Sequence, residues 1–105
     1  RTQEVFACLF LDTQHRILKY EELFFGGIHQ ATIHPRQIIQ RALSQCAAAV
    51  IFAHNHPSGD TTPSESDRRM TRELKPMLEM LEIRLLDHLI IGGRNVFSFA
   101  QHGLM

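Results

Sequence analysis

His54-Asn55-His56-Pro57-Ser58-Gly59-Asp60-Thr61-Thr62-Pro63-Ser64-Glu65-Ser66-Asp67 is the stretch around which the rest of the chain is read. The run before it, Ala47-Ala48-Ala49-Val50-Ile51-Phe52-Ala53, is continuously apolar and bounded by turn residues, the pattern of a fully buried strand. The segment after it has helical periodicity. Two imidazoles therefore sit at the end of a buried strand. A loop rich in Pro, Gly and Thr turns the chain, and Ser64 and Asp67 open a helix. Alternate residues of a strand share a face, so His54 and His56 converge while Asn55 points away. Ser64 and Asp67 are three residues apart, hence neighbours on one face of a helix.

Working outward, Glu4 to Leu11 is nearly unbroken apolar sequence and predicts a central strand buried on both faces. Asp12-Thr13-Gln14-His15 is a polar turn, and Ile17 to Phe25 predicts a partner strand closed by Gly26-Gly27, together a hairpin. His34-Pro35 marks a helix start, with proline at the first helical position. Ile38, Ile39, Ala42, Leu43 and Cys46 follow on one face at helical spacing. A second helix is expected from about Pro63 to Leu81, with Met70, Leu74, Met77, Leu78 and Leu81 inward. Pro76 should kink or split it, because proline removes a backbone donor and clashes with the preceding turn. Ile83 to Ile91 predicts another strand, Gly92-Gly93-Arg94-Asn95 a turn, and Val96 to Ala100 a last short strand. The order β-β-α-β-α-β-β is an α/β fold: a mixed sheet packed with two main helices.

Two histidines and one carboxylate match a catalytic zinc site, which uses three protein ligands and leaves a fourth position for water. His54, His56 and Asp67 are the candidate ligands for Zn2+. A carboxylate should then act as general base, and the Ser64 hydroxyl could donate to the oxyanion. Ser64 and Asp67 also resemble a helix cap. Thr62-Pro63-Ser64-Glu65 reads as the better capping box, with Thr62 and Glu65 as the pair, which would release Ser64 and Asp67 for the metal. Other chemistries fail on spacing. The chain has no H-E-x-x-H, no P-C-x-x-C with an upstream H-x-E, and no glycine-rich nucleotide loop.

Composition sets the outer limits. The 105 residues suffice for one domain with one core, and 44% hydrophobic with 21% charged residues is ordinary for a globular chain. The formal net charge is zero, which gives no general attraction to nucleic acid, although Arg68, Arg69 and Arg72 cluster. Cys8 and Cys46 lie in apolar segments and read as buried free thiols. No targeting or membrane-spanning pattern is present in this sequence, so a cytoplasmic location without membrane contact is the expectation. The opening Arg1 suggests a fragment of a longer chain. His15 and His29 read as surface residues and His34 as structural. His88 reads as a satisfied core residue, with a partnership to a metal ligand as the alternative.

These residues also carry a family resemblance. H-x-H, seven residues, then S-x-x-D is the JAMM motif of the JAB/MPN metalloprotease superfamily. His54-Asn55-His56-Pro57-Ser58-Gly59 with Asp87-His88-Leu89-Ile90-Ile91-Gly92 looks like its RadC branch, and Leu11-Asp12-Thr13 and His34-Pro35-Arg36 fit as well. The resemblance covers essentially the whole chain. It implies a JAB-type fold over residues 1–105, a zinc held by His54, His56 and Asp67, and hydrolysis of a peptide or isopeptide bond in a protein or peptide substrate. It also implies a general-base glutamate near the start of the first strand. By position that falls on Glu4, with Glu21 and Glu22 as rivals. RadC proteins usually carry a helix-hairpin-helix region before this domain, and the expectation is that this chain lacks it. A non-catalytic interaction module and a DNA-repair-associated accessory protein are the other readings. Exposed edges of a mixed sheet leave room for a homodimer.

Overall fold

The computed structural model describes residues 3–27 and 33–105, so His29 lies outside the described residues. The strands are β1 (Val5–Leu11), β2 (Ile17–Phe25), β3 (Ala49–Asn55), β4 (Arg84–Gly92) and β5 (Asn95–Ser98); the helices are α1 (Pro35–Ser44) and α2 (Glu65–Met80). The chain order is the expected β-β-α-β-α-β-β, an α/β arrangement consistent with a JAB/MPN-like fold.

One five-stranded sheet runs in the order β2-β1-β3-β4-β5. The apolar runs that become β1 and β3 take its central positions, where both neighbours are strands. β1 pairs antiparallel with β2 and with β3, whereas β3 and β4 are parallel. A parallel pair cannot be joined by a tight turn, so the chain crosses back through a helix, here α2. Alternate residues Phe6, Cys8 and Phe10 of β1 join Val50 and Phe52 of β3 in the main core. Ile38 and Ala42 of α1 and Met70, Leu74 and Leu78 of α2 complete it.

The register carries the functional consequence. Phe6 pairs with His54, so the beginning of β1 lies beside the end of β3. Glu4, two residues before Phe6, is thereby carried toward His56, two residues past His54. Asn55 reinforces this. Its side chain accepts from the Val5 amide at 2.6 Å and donates to the Gln3 carbonyl at 3.0 Å, clasping the backbone on both sides of Glu4.

Several expectations are corrected. The second helix starts at Glu65, not Pro63, because Ser64 is still extended at φ −76°, ψ 166°. Pro76 neither ends nor divides it: α2 runs unbroken through Met80. Pro76 is exposed, so the carbonyl deprived of its helical partner is at the solvent side. Met77 and Leu81 at the end of α2, and Leu43 in α1, are exposed rather than inward. Cys46 is also exposed, where α1 gives way to a residue at φ +53°, while Cys8 is buried among the aromatic core residues. Burial pushes the Cys8 thiol far above its ordinary range, with the Glu21 charge adding to the effect. Among the described residues, no helix is long and apolar enough to cross a membrane. The arginine cluster is partly neutralised on its own helix, Arg69 facing Glu73 at 3.6 Å and Arg72 facing Glu65 at 3.1 Å.

Candidate metal centre

His54 is the last buried residue of β3, and His56 follows one residue past the strand's end. Their rings lie 4.8 Å apart between centroids. Asp67 comes from the first turn of α2 and is 1% exposed, a burial that a carboxylate tolerates only with partners. His54 Nε2 lies 3.4 Å from Asp67 Oδ1, and His56 Nε2 lies 3.3 Å from Asp67 Oδ2. The three residues can each offer one ligand atom, all within 4.8 Å of one another.

Those separations fit a shared cation better than direct hydrogen bonds. Good N–H···O bonds fall at about 2.7–3.2 Å. Two ligand atoms bound at about 2.0–2.1 Å and a tetrahedral angle stand roughly 3.4 Å apart. The His56 ring is also set for the purpose. Its Nδ1 lies 2.7 Å from the Asp60 carbonyl oxygen, which can only accept, so Nδ1 carries the proton and Nε2 keeps its lone pair toward Asp67. Burial pushes the His54 imidazole below its ordinary range, against the opposing pull of the Asp67 carboxylate. A neutral ring is the form that binds a metal.

The capping expectation is overturned. Ser64, not Thr62, caps α2. Its Oγ accepts from the Asp67 amide at 3.0 Å, and Asp67 Oδ2 accepts from the Ser64 amide at 2.8 Å. Thr62 instead follows an Asp60 turn, its amide donating to Asp60 Oδ1 at 2.9 Å. Capping and metal binding are compatible roles for one carboxylate. A carboxylate has two oxygens and about four lone-pair sites, so Asp67 can serve the Ser64 amide and still face both histidines.

Glu4, Ser64 and the three candidate ligands line one cleft of about 580 Å3, together with Pro57, Ser58 and Ser66. Glu4 is half-buried there. Its two rivals do not line that cleft. Glu21 is held by Arg41 of α1, which donates from Nε at 3.0 Å and from Nη2 at 2.6 Å. Glu22 accepts from the Tyr20 hydroxyl at 3.1 Å and lines a second hollow with Val5, Ala7, Ala53, His54 and Asn55.

Comparison with known proteins agrees with this geometry. The model of the RadC-like JAB domain matches residues 1–104. The chain belongs to the RadC-like JAB family. Among curated relatives, a UPF0758 protein of Coxiella burnetii is 60% identical over 102 residues, covering 97% of this chain and 46% of that protein. A UPF0758 protein of Histophilus somni is 56% identical over 103 residues, covering 98% of this chain and 46% of the relative. UPF0758 protein YkfG of Escherichia coli K12 is 50% identical over 103 residues, covering 98% of this chain and 65% of that protein. The RadC-like domain described here thus spans about half the length of most of these relatives.

Four contributors to the RadC-like site were not singled out from the sequence. The Asp60 carbonyl and the Asn55 side chain act through backbone contacts that no spacing rule reveals. Gly92 supports the loop: a Cβ there would lie 2.5 Å from the Gly59 carbonyl oxygen and 2.8 Å from Thr61. Thr71 did leave a signal. It is a polar residue four positions after Asp67, on the inward face of α2, and it is 1% exposed. His88, preferred as a core residue, is fully buried and also lies 3.2 Å from His54 Nδ1. Burial holds its imidazole well below the ordinary histidine range, assisted by the two neighbouring imidazoles.

Proposed function

We propose that this domain is a zinc-dependent hydrolase of the JAMM type that cleaves a peptide or isopeptide bond. The observation carrying the proposal is the convergence of His54, His56 and Asp67 at one end of a cleft whose wall includes Glu4. Two imidazoles and one carboxylate are a donor set suited to zinc, and three protein ligands leave a coordination position open. A zinc ion held there supplies Lewis acidity, lowering the pKa of water toward about 7 and polarising a substrate carbonyl.

The remaining work falls to the chain. Glu4 takes a proton from the attacking water and returns it to the departing amine, which must leave as a neutral base. Its position is set by the β1–β3 register and by the Asn55 clasp on its flanking peptide groups. The Ser64 oxygen accepts the Asp67 amide, and its hydroxyl proton is directed to the oxyanion of the tetrahedral intermediate. A protein or peptide is the substrate class that this JAMM-type reading implies.

Glu4→Gln tests the assignment. The amide keeps the size of the side chain but cannot take the proton. With zinc-loaded protein and a panel of fluorogenic peptides and isopeptide-linked conjugates, turnover should fall by about 10²–10⁴ while zinc affinity stays within a few-fold. Turnover by Glu4→Gln equal to the parent would remove Glu4 from the mechanism. Absence of any metal-dependent cleavage by the parent protein across the panel would count against the hydrolase reading.

A further inference from the structure

His56 and His54 face the same metal position but are oriented by different means. The ring of His56 is set by a carbonyl oxygen, which fixes its proton on Nδ1 without ambiguity. His54 has no such partner. Its Nδ1 meets His88 Nε2 at 3.2 Å, and an imidazole nitrogen can donate or accept. On the far side of the same ring, His88 Nδ1 lies 2.8 Å from Thr71 Oγ1. Thr71 Oγ1 in turn lies 3.3 Å from the Asp67 carbonyl oxygen, four residues back along α2. His54, His88 and Thr71 are all buried, and among the described residues no buried side-chain polar atom lacks a hydrogen-bond partner. The path is therefore shielded from bulk solvent, and each proton on it has one of two places.

We propose that Thr71, acting through His88, is a positioning residue that selects the metal-binding tautomer of His54. The Thr71 hydroxyl donates to the Asp67 carbonyl, an acceptor with no proton to give. Its oxygen then accepts from His88 Nδ1–H. That leaves the lone pair of His88 on Nε2, where it accepts from His54 Nδ1–H. The lone pair of His54 is consequently on Nε2, facing Asp67 Oδ1. Reversing the chain would place the proton on His54 Nε2, where a metal ligand needs a lone pair. The arrangement starts and ends on Asp67: its carboxylate is one metal ligand, and its peptide carbonyl anchors the tautomer of another. The inference rests on the metal-centre reading above and adds a determinant of affinity that touches no metal.

Thr71→Val tests it, because valine keeps the branched shape and removes the acceptor for His88 Nδ1–H. Zinc affinity, read by competition with a chromophoric chelator, should fall about 10–100-fold, the range usual when a ligand loses its supporting hydrogen bond. Thr71→Ser restores the hydroxyl and should bind within about threefold of the parent, the scale of ordinary context effects on one interaction. Long-range 1H–15N correlation on the zinc-loaded parent should show His88 protonated at Nδ1. This second readout decides the matter even if Thr71→Val does not fold. Thr71→Val binding as tightly as the parent, or His88 carrying its proton on Nε2, would overturn the proposal while leaving the metal centre intact. A parent protein that binds no zinc would instead overturn the metal-centre reading, and this inference with it.

Discussion

Asp67→Ala is expected to abolish zinc binding and also to lower the melting temperature of the metal-free protein. Both effects come from one carboxylate. Its Oδ2 accepts the Ser64 amide in the capping box, and both oxygens face the histidine pair. The Ser64 cap on the amide of residue 67 survives the substitution. What is lost is the single bond from the Ser64 amide, and one hydrogen bond is typically worth about 1 kcal/mol. For a domain of this size that corresponds to a fall of about 4–8 °C. The loss of metal adds a second term, because zinc stabilises only a chain that binds it, by an amount set by its concentration relative to Kd. Asp67→Asn separates the two. The amide oxygen can still accept from Ser64, so most of the metal-free stability should remain, while the missing charge weakens the zinc-dependent shift. His56→Ala is the complementary control, since His56 caps nothing. Thermal unfolding with and without zinc measures all three. A zinc-dependent shift that survives in Asp67→Ala would refute the ligand assignment, and an unchanged metal-free midpoint would refute the capping role.

Gly92→Ala should be more damaging than an added methyl group suggests. The new Cβ would stand 2.5 Å from the Gly59 carbonyl oxygen and 2.8 Å from both Gly59 carbonyl carbon and Thr61 Cγ2. Two of these three atoms are backbone, so the clash cannot be relieved by rotating a side chain. The loop after β3 must lift. That loop carries the Asp60 carbonyl that holds His56 Nδ1, and its first amide, that of His56, donates to the Ile91 carbonyl at 2.8 Å. Overpacking of a tight site costs about 1–3 kcal/mol. A melting temperature lower by roughly 5–15 °C follows for a domain of about 100 residues. Zinc affinity should fall in parallel, as a ligand deprived of its orienting partner commonly loses about 10–100-fold. Calorimetry paired with chelator competition measures both. Normal affinity in a destabilised Gly92→Ala would mean that the loop carbonyl does not govern His56.

The parts of this structure that were legible from the sequence are those in which burial is dictated locally. The apolar runs of β1 and β3, the hairpin turn after Leu11 and the Pro35 helix start each declare themselves within a few residues. The convergence of His54, His56 and Asp67 was legible for a similar reason, since two residues at a strand end and one in a helical first turn are fixed by short spacings. What was missed depends on register or on the backbone. Asn55 appeared only as the residue pointing away, yet it clasps β1 across the sheet. Thr71 and His88 meet because β4 lies parallel to β3 under α2, a contact 17 residues long in sequence. The cap is hidden in the sequence because Asp67 holds two tasks at once, the Ser64 amide and the histidine pair. The exposure of Cys46 is hidden because helical periodicity does not reveal where a helix face runs out of neighbours to pack against.

X-ray absorption at the zinc edge, on protein reconstituted with one equivalent of zinc, reads the ligand set itself. The spectrum should show two imidazoles and otherwise only oxygen around the metal, the donors of His54, His56 and Asp67 with solvent, and one imidazole fewer in His56→Ala. Sulfur scattering from Cys8 or Cys46, or an unchanged imidazole signal in His56→Ala, would contradict that ligand set.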